Sequence, residues 1–147
     1  MSKKENITSY LLSLWQKEDL VRALGDKPID NQELSELREM MHREGVWKQG
    51  HVSIANVTLE QIEDIHRELL EAEATYRAAF IQLQPQVNIL KSKSADPTQS
   101  DIQMMFVFLY NLMLLKLQNR QISDSTSLTA LQVSRLMDYL SRYYSAQ

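Results

Sequence analysis

Apolar residues recur every three to four positions along most of this chain, the period of α-helices with one face against a core. From about Asn6 to Leu24, Ile7, Tyr10, Leu14 and Val21 form one such stripe. Leu11, Trp15, Glu18 and Arg22 make a second, mixed stripe beside it. Glu18 and Arg22 stand in the order that favours an i,i+4 ion pair. Gly25 and Pro28 stop this helix. A second helix covers about Ile29 to Glu44, with Leu34, Leu37, Met40 and Met41 inward and Gly45 as its cap. A turn-rich stretch, Gly45 to His51, follows. A third helix opens near Thr58, where Thr58 and Gln61 have capping-box spacing. Ile62, Ile65, Leu69 and Ala72 mark its inner face, and the pattern runs on through Tyr76, Phe80 and Leu83. Periodicity leaves open whether a break lies at 71–75. Pro85 lacks the N–H that would bond Ile81, so it kinks or restarts the helix. The stretch Lys91 to Thr98 reads as a surface loop.

The stretch Met104 to Leu117, MMFVFLYNLMLLKL, departs from this pattern because it is apolar on every face. Such a segment is the buried centre of a bundle, or lies between a core and a partner subunit. It is too short for a bilayer, which needs about 20 apolar residues. A helix near residues 98–119 is therefore expected at the centre of the fold. Ser100 and Gln103 suit its start, and Asn111 is expected to hydrogen-bond a neighbouring helix and fix register. Lys116 is long enough to snorkel to water. A last helix begins at Ser123, with Leu128, Leu131, Met137, Leu140 and Tyr144 lining it. No linker or repeat divides the chain. The expected fold is all-α: one domain, residues 1–147, as a bundle of five to six mostly antiparallel helices.

Composition agrees. Gly and Pro number only 3 each among 147 residues, and strand-forming residues do not alternate. With no Cys, disulfides, thiolate metal sites and cysteine nucleophiles are excluded. A net charge of −3 with no basic cluster beyond Lys91 and Lys93 argues against nucleic acid. Charged residues break the early apolar run before any cleavage signal, so a cytoplasmic protein is expected, with no membrane association.

Two patterns point to divalent metals. Glu39 with His42 and Glu63 with His66 are Glu-x-x-His pairs, which place carboxylate and imidazole on one helix face. Two such pairs with two further carboxylates make a di-metal site, and Glu18 is a candidate for one of them. The helices after residue 98 offer only Asp101 and Asp138. The second pattern, Glu33, Glu36, Glu39 with Glu60, Glu63, could hold Mg²⁺ against phosphates. It resembles the acidic motifs of all-α nucleotide pyrophosphohydrolases, but the Glu-x-x-Asp partner after Glu63 is missing. Chance spacing and the acidic solvated faces common on helices are the favoured account of both patterns. The Gly45–His51 loop adds Trp47 and His51, a stacking ring and a titratable base. A Trp laid on the bundle end is the simpler account. The Met cluster, Met40, Met41, Met104, Met105, Met113 and Met137, reads as core filling.

Several fragments together resemble a known family. They are Asn6-Ile7, Tyr10-Leu11 and Trp15-Gln16-x-Glu18-Asp19-Leu20-x-Arg22-Ala23; Met40-Met41, Glu44-Gly45-Val46 and Gly50-His51; then Leu109-Tyr110, Leu114-Leu115-x-Leu117-Gln118, Ile122-Ser123 and Tyr143-Tyr144. In order and extent they are similar to the Bacteroidetes domain-of-unknown-function family numbered 4924. The resemblance implies a small cytosolic helical protein with no established activity. It also implies that Trp15, Glu18, Asp19, Glu44 and His51 are the candidate shared positions, of unknown role. The stretch Gly25 to Glu33 is shortened against the family, His42 replaces a usual Arg, and Glu63 is not a family feature. These departures weaken the metal pairs.

The function expected is non-catalytic: association with itself or with a protein partner, with no cofactor. The alternatives are a divalent-metal enzyme or binder using Glu39, His42, Glu63 and His66, and a small-molecule binder with a pocket under Trp15 and Asn111.

Overall fold

The computed structural model describes residues 2–147. Six α-helices, and no strand among these residues, form one bundle: α1 (Ile7–Leu24), α2 (Gln32–Arg43), α3 (Ser53–Ala72), α4 (Ala74–Lys93), α5 (Asp101–Leu117) and α6 (Asp124–Ser145). One contiguous core draws on every helix, with Leu11, Met41, Ile62, Tyr76, Phe106 and Leu140 among its buried members. Of the Met cluster, Met41, Met104, Met105 and Met137 are buried there.

Four helices start on side-chain caps visible in the sequence. Asn6, Asn31, Ser100 and Ser123 each accept a hydrogen bond from the backbone N–H three residues on. The third helix differs from expectation. It begins at Ser53, and Thr58 lies inside it, its hydroxyl donating to the Ile54 carbonyl at 2.7 Å. Its first amides are satisfied from elsewhere in the chain, by carboxylates on α1 and at the end of α2. The open question at 71–75 resolves as a break at Glu73, whose extended backbone (φ −120°, ψ 104°) separates α3 from α4. Pro85 does not restart the helix. It sits exposed within α4, which continues to Lys93. Lys91 and Lys93 are therefore helical, and Lys91 pairs with Asp101 rather than standing in a loop.

Three stripes are corrected. On α1 the mixed stripe faces inward: Leu11, Trp15 and Glu18 are buried, whereas Tyr10 and Leu14 are only partly so. Leu128 and Leu131 do not line the core of α6; they are 60 and 63% exposed, and Val133, Leu136, Met137 and Leu140 take that role. On α5 burial covers the first half, Ile102, Met104, Met105 and Phe106, together with Leu112. Its second half is only partly covered, with Tyr110, Met113, Leu114 and Leu115 half-buried. Asn111 is exposed there rather than buried against a neighbouring helix, and Leu117 is 64% exposed.

Candidate functional site

Five positions singled out by resemblance converge on one end of α1. Glu18 is fully buried, one turn beyond Trp15. A lone carboxylate in such surroundings needs hydrogen-bond donors for both oxygens. It has them: His51 Nδ1 donates to Oε1 at 2.7 Å, and the Val52 N–H donates to Oε2 at 2.7 Å. Val52 caps α3, so the negative charge also meets the positive end of that helix dipole. Glu44, exposed at the end of α2, completes the start of α3 by accepting from the Ser53 N–H (2.6 Å) and its hydroxyl (3.1 Å).

The His51 ring lies flat on Trp15, centroids 4.7 Å apart and planes 15° from parallel. Trp15 also meets the rings of Phe106 and Tyr110 edge-on, at 6.1 and 5.9 Å. The Glu18 carboxylate at Nδ1 fixes the orientation of the ring, with Nε2 as its other polar atom. About a third of the His51 side chain reaches solvent. Carboxylate and imidazole thus form an oriented pair on an aromatic platform.

Arg22 does not pair with Glu18, as the i,i+4 spacing suggested. Glu18 points into the core, and Arg22 turns to the Gly45–His51 loop. There it donates to the carbonyls of Val46 (2.9 Å), Trp47 (3.0 Å) and Gly50 (2.5 Å). Its remaining N–H groups reach Asp19 at 3.2 Å, and Asp19 in turn accepts from the Tyr110 hydroxyl. Burial, and then the neighbouring Asp19 carboxylate, push the Tyr110 phenol well above the usual tyrosine range. No motif in the sequence marks Arg22 or Tyr110 as a site residue. For Arg22, the excess of free carbonyls in a glycine-bounded loop is the signal that could have found it.

The Glu-x-x-His residues are not brought together. Glu39 and His42 are exposed, and His42 stacks on Trp47 at 4.3 Å. His66 is buried on α3, its Nδ1 2.6 Å from the Tyr76 hydroxyl and its ring against Phe80. Desolvation lowers the His66 pKa to about 4, so its imidazole is neutral near pH 7. Among the described residues no three His, Asp or Glu side chains are grouped to hold a metal ion. Trp15 and Asn111 do not share a pocket either. Trp15 is packed inside, whereas Asn111 lines a groove between α4 and α5 with Leu90 and Val107.

No helix among the described residues is long and apolar enough to cross a membrane. No curated protein and no solved structure matches the chain. Residues 26–147, which include Glu44 and His51 but not Trp15, Glu18 and Asp19, match the family described as Domain of unknown function (DUF4924), and the chain belongs to that family.

Proposed function

We propose that this is a non-catalytic cytoplasmic protein that works by pairing with a second copy of itself through the outer half of α5. The supporting observation is the unfinished packing around that half-helix. Open grooves flank it on three sides. One, of about 470 Å³, runs along α1 past Leu20, Tyr110 and Leu114. A second, of about 430 Å³, lies toward α6 beside Leu12, Met113 and Leu117. The third, of about 350 Å³, lies toward α4. Leu117 and Leu20 are exposed at their edges. A helix apolar on all faces gains free energy when the uncovered faces leave water.

The chain is itself a suitable occupant. From Ile102 to Leu115 α5 carries no charged residue. Two such strips related by a two-fold axis meet without like charges along that stretch, with the exposed Lys116 at its edge, and two-fold dimers are the commonest oligomers. The oriented His51–Glu18 pair is accounted for by its role in holding the chain together at the start of α3.

Sedimentation equilibrium tests the reading. The wild-type chain is expected to show a monomer–dimer equilibrium. Leu117→Glu, which sets a carboxylate on each side of the two-fold, should leave a monomer of unchanged helicity because the residue is already exposed. A wild-type chain that stays monomeric across the accessible concentration range would overturn it.

A further inference from the structure

The segment from Gly45 to Val52 has little structure of its own. The Val46 N–H bonds back to the Met41 carbonyl at 3.0 Å. Beyond that point the segment is held chiefly from α1, by Arg22 on three carbonyls, Glu18 on His51 and the Val52 amide, and Trp15 under the His51 ring; His42 stacks on Trp47, and Asn56 donates to the His51 carbonyl at 3.3 Å. Gly45 (φ +73°) and Gly50 (φ +92°) give it two turns that other residues take only under strain. It is a strap across the side of α1.

The contacts that hold the strap close into a ring. Arg22 bonds Asp19, Asp19 accepts from Tyr110, Tyr110 meets Trp15 edge-on, and Trp15 carries the His51 ring of the strap. Asp19 and Tyr110 also line the α1–α5 groove. The strap and the groove therefore share two side chains.

We propose that the strap is a two-state latch whose release loosens Tyr110 and weakens pairing at the α1–α5 groove. The regulatory half of this inference rests on the self-association reading; the latch itself does not. Three carbonyls share one guanidinium, so losing any of these bonds weakens the hold on the rest, and the strap opens as a unit. Opening also strips Glu18 of both donors, which keeps the closed state dominant. Local units of this kind exchange their amides together, at a free energy below that of global unfolding.

Amide hydrogen exchange, measured on the monomeric Leu117→Glu chain, decides the latch independently of association. The Val52 amide, held by Glu18, should exchange faster than that of Ile65 in the middle of α3. Arg22→Met, which removes none of the Val52 amide's own bonds, should still speed that exchange by about tenfold or more, because the strap opens as a unit. Gly50→Ala, which strains the strap at a positive φ while keeping the Arg22 side chain, should act in the same direction if Arg22→Met folds poorly. A Val52 rate that neither substitution moves, or one equal to that of Ile65, overturns the latch. Its coupling to the groove is then read on the Leu117 chain by sedimentation. Arg22→Met should weaken the dimer about tenfold relative to Arg38→Met, which removes the same charge from α2; equal dimer affinities overturn the coupling. A monomeric wild type would instead remove the association reading and the coupling, with the exchange result still deciding the latch.

Discussion

His66 carries the clearest pH dependence of any single residue here. Its hydrogen bond to Tyr76 joins a neutral imidazole to a protonated phenol, the phenol itself held protonated by burial. The folded pKa of His66, about 4, lies below the 6.5 of a free histidine side chain. Between those values the unfolded chain binds the extra proton and the folded chain does not, so stability falls as pH falls through this window. At about 1.4 kcal/mol per unit, the loss approaches roughly 3 kcal/mol near pH 4. Urea unfolding at pH 6.5 and pH 5 should show the fall in the wild type and a shallower one in His66→Gln. Equal slopes would mean that the imidazole is not shielded in solution. Glu18 teaches the opposite lesson. Read as a surface partner for Arg22, it is the most deeply buried acidic residue among those described, because the donors it needs come from residues 51 and 52.

At the scale of the element, helix ends depended on where their caps come from. Asn6, Asn31, Ser100 and Ser123 cap their own helices, and those starts were legible or nearly so. The start of α3 was not, because Glu18 and Glu44 supply its acceptors across the fold. Pro85 shows a local rule overridden. Proline is about 3 kcal/mol less favourable than Ala in a helix interior, yet α4 runs through it. Ile81, four residues before it, is 63% exposed, so water can reach the carbonyl left without its N–H partner. Pro85→Ala should restore that bond and raise stability by about 1–3 kcal/mol, seen as a later denaturant midpoint with an unchanged slope. No gain would place the helix under a constraint other than proline.

For the whole molecule, the all-face apolar character of α5 is the main fact. Its first half completes the core, and its second half leaves Leu117 and three grooves uncovered. If a second copy covers them, stability depends on protein concentration, because binding favours the folded state by mass action. The melting temperature of the wild type should therefore rise with concentration, and that of Leu117→Glu should not. Concentration-independent melting of both chains would argue for a monomer that tolerates its exposed leucines.

The sequence by itself determined the class of fold, the approximate positions of most helices and most of the core. These follow from local periodicity, capping residues and the scarcity of Gly and Pro, all readable within a turn or two. The resemblance supplied the grouping of Trp15, Glu18, Asp19, Glu44 and His51 without a reason for it. Only the tertiary structure gave the reason: a buried carboxylate, an imidazole and a helix start, drawn from separate segments, satisfy one another. It also separated His42 from His66, since i,i+3 spacing fixes a face of one helix but not what that face meets. Hydrogen-bond partners distant in the chain and the covering of α5 are decided by how helices pack, and no local pattern encodes them.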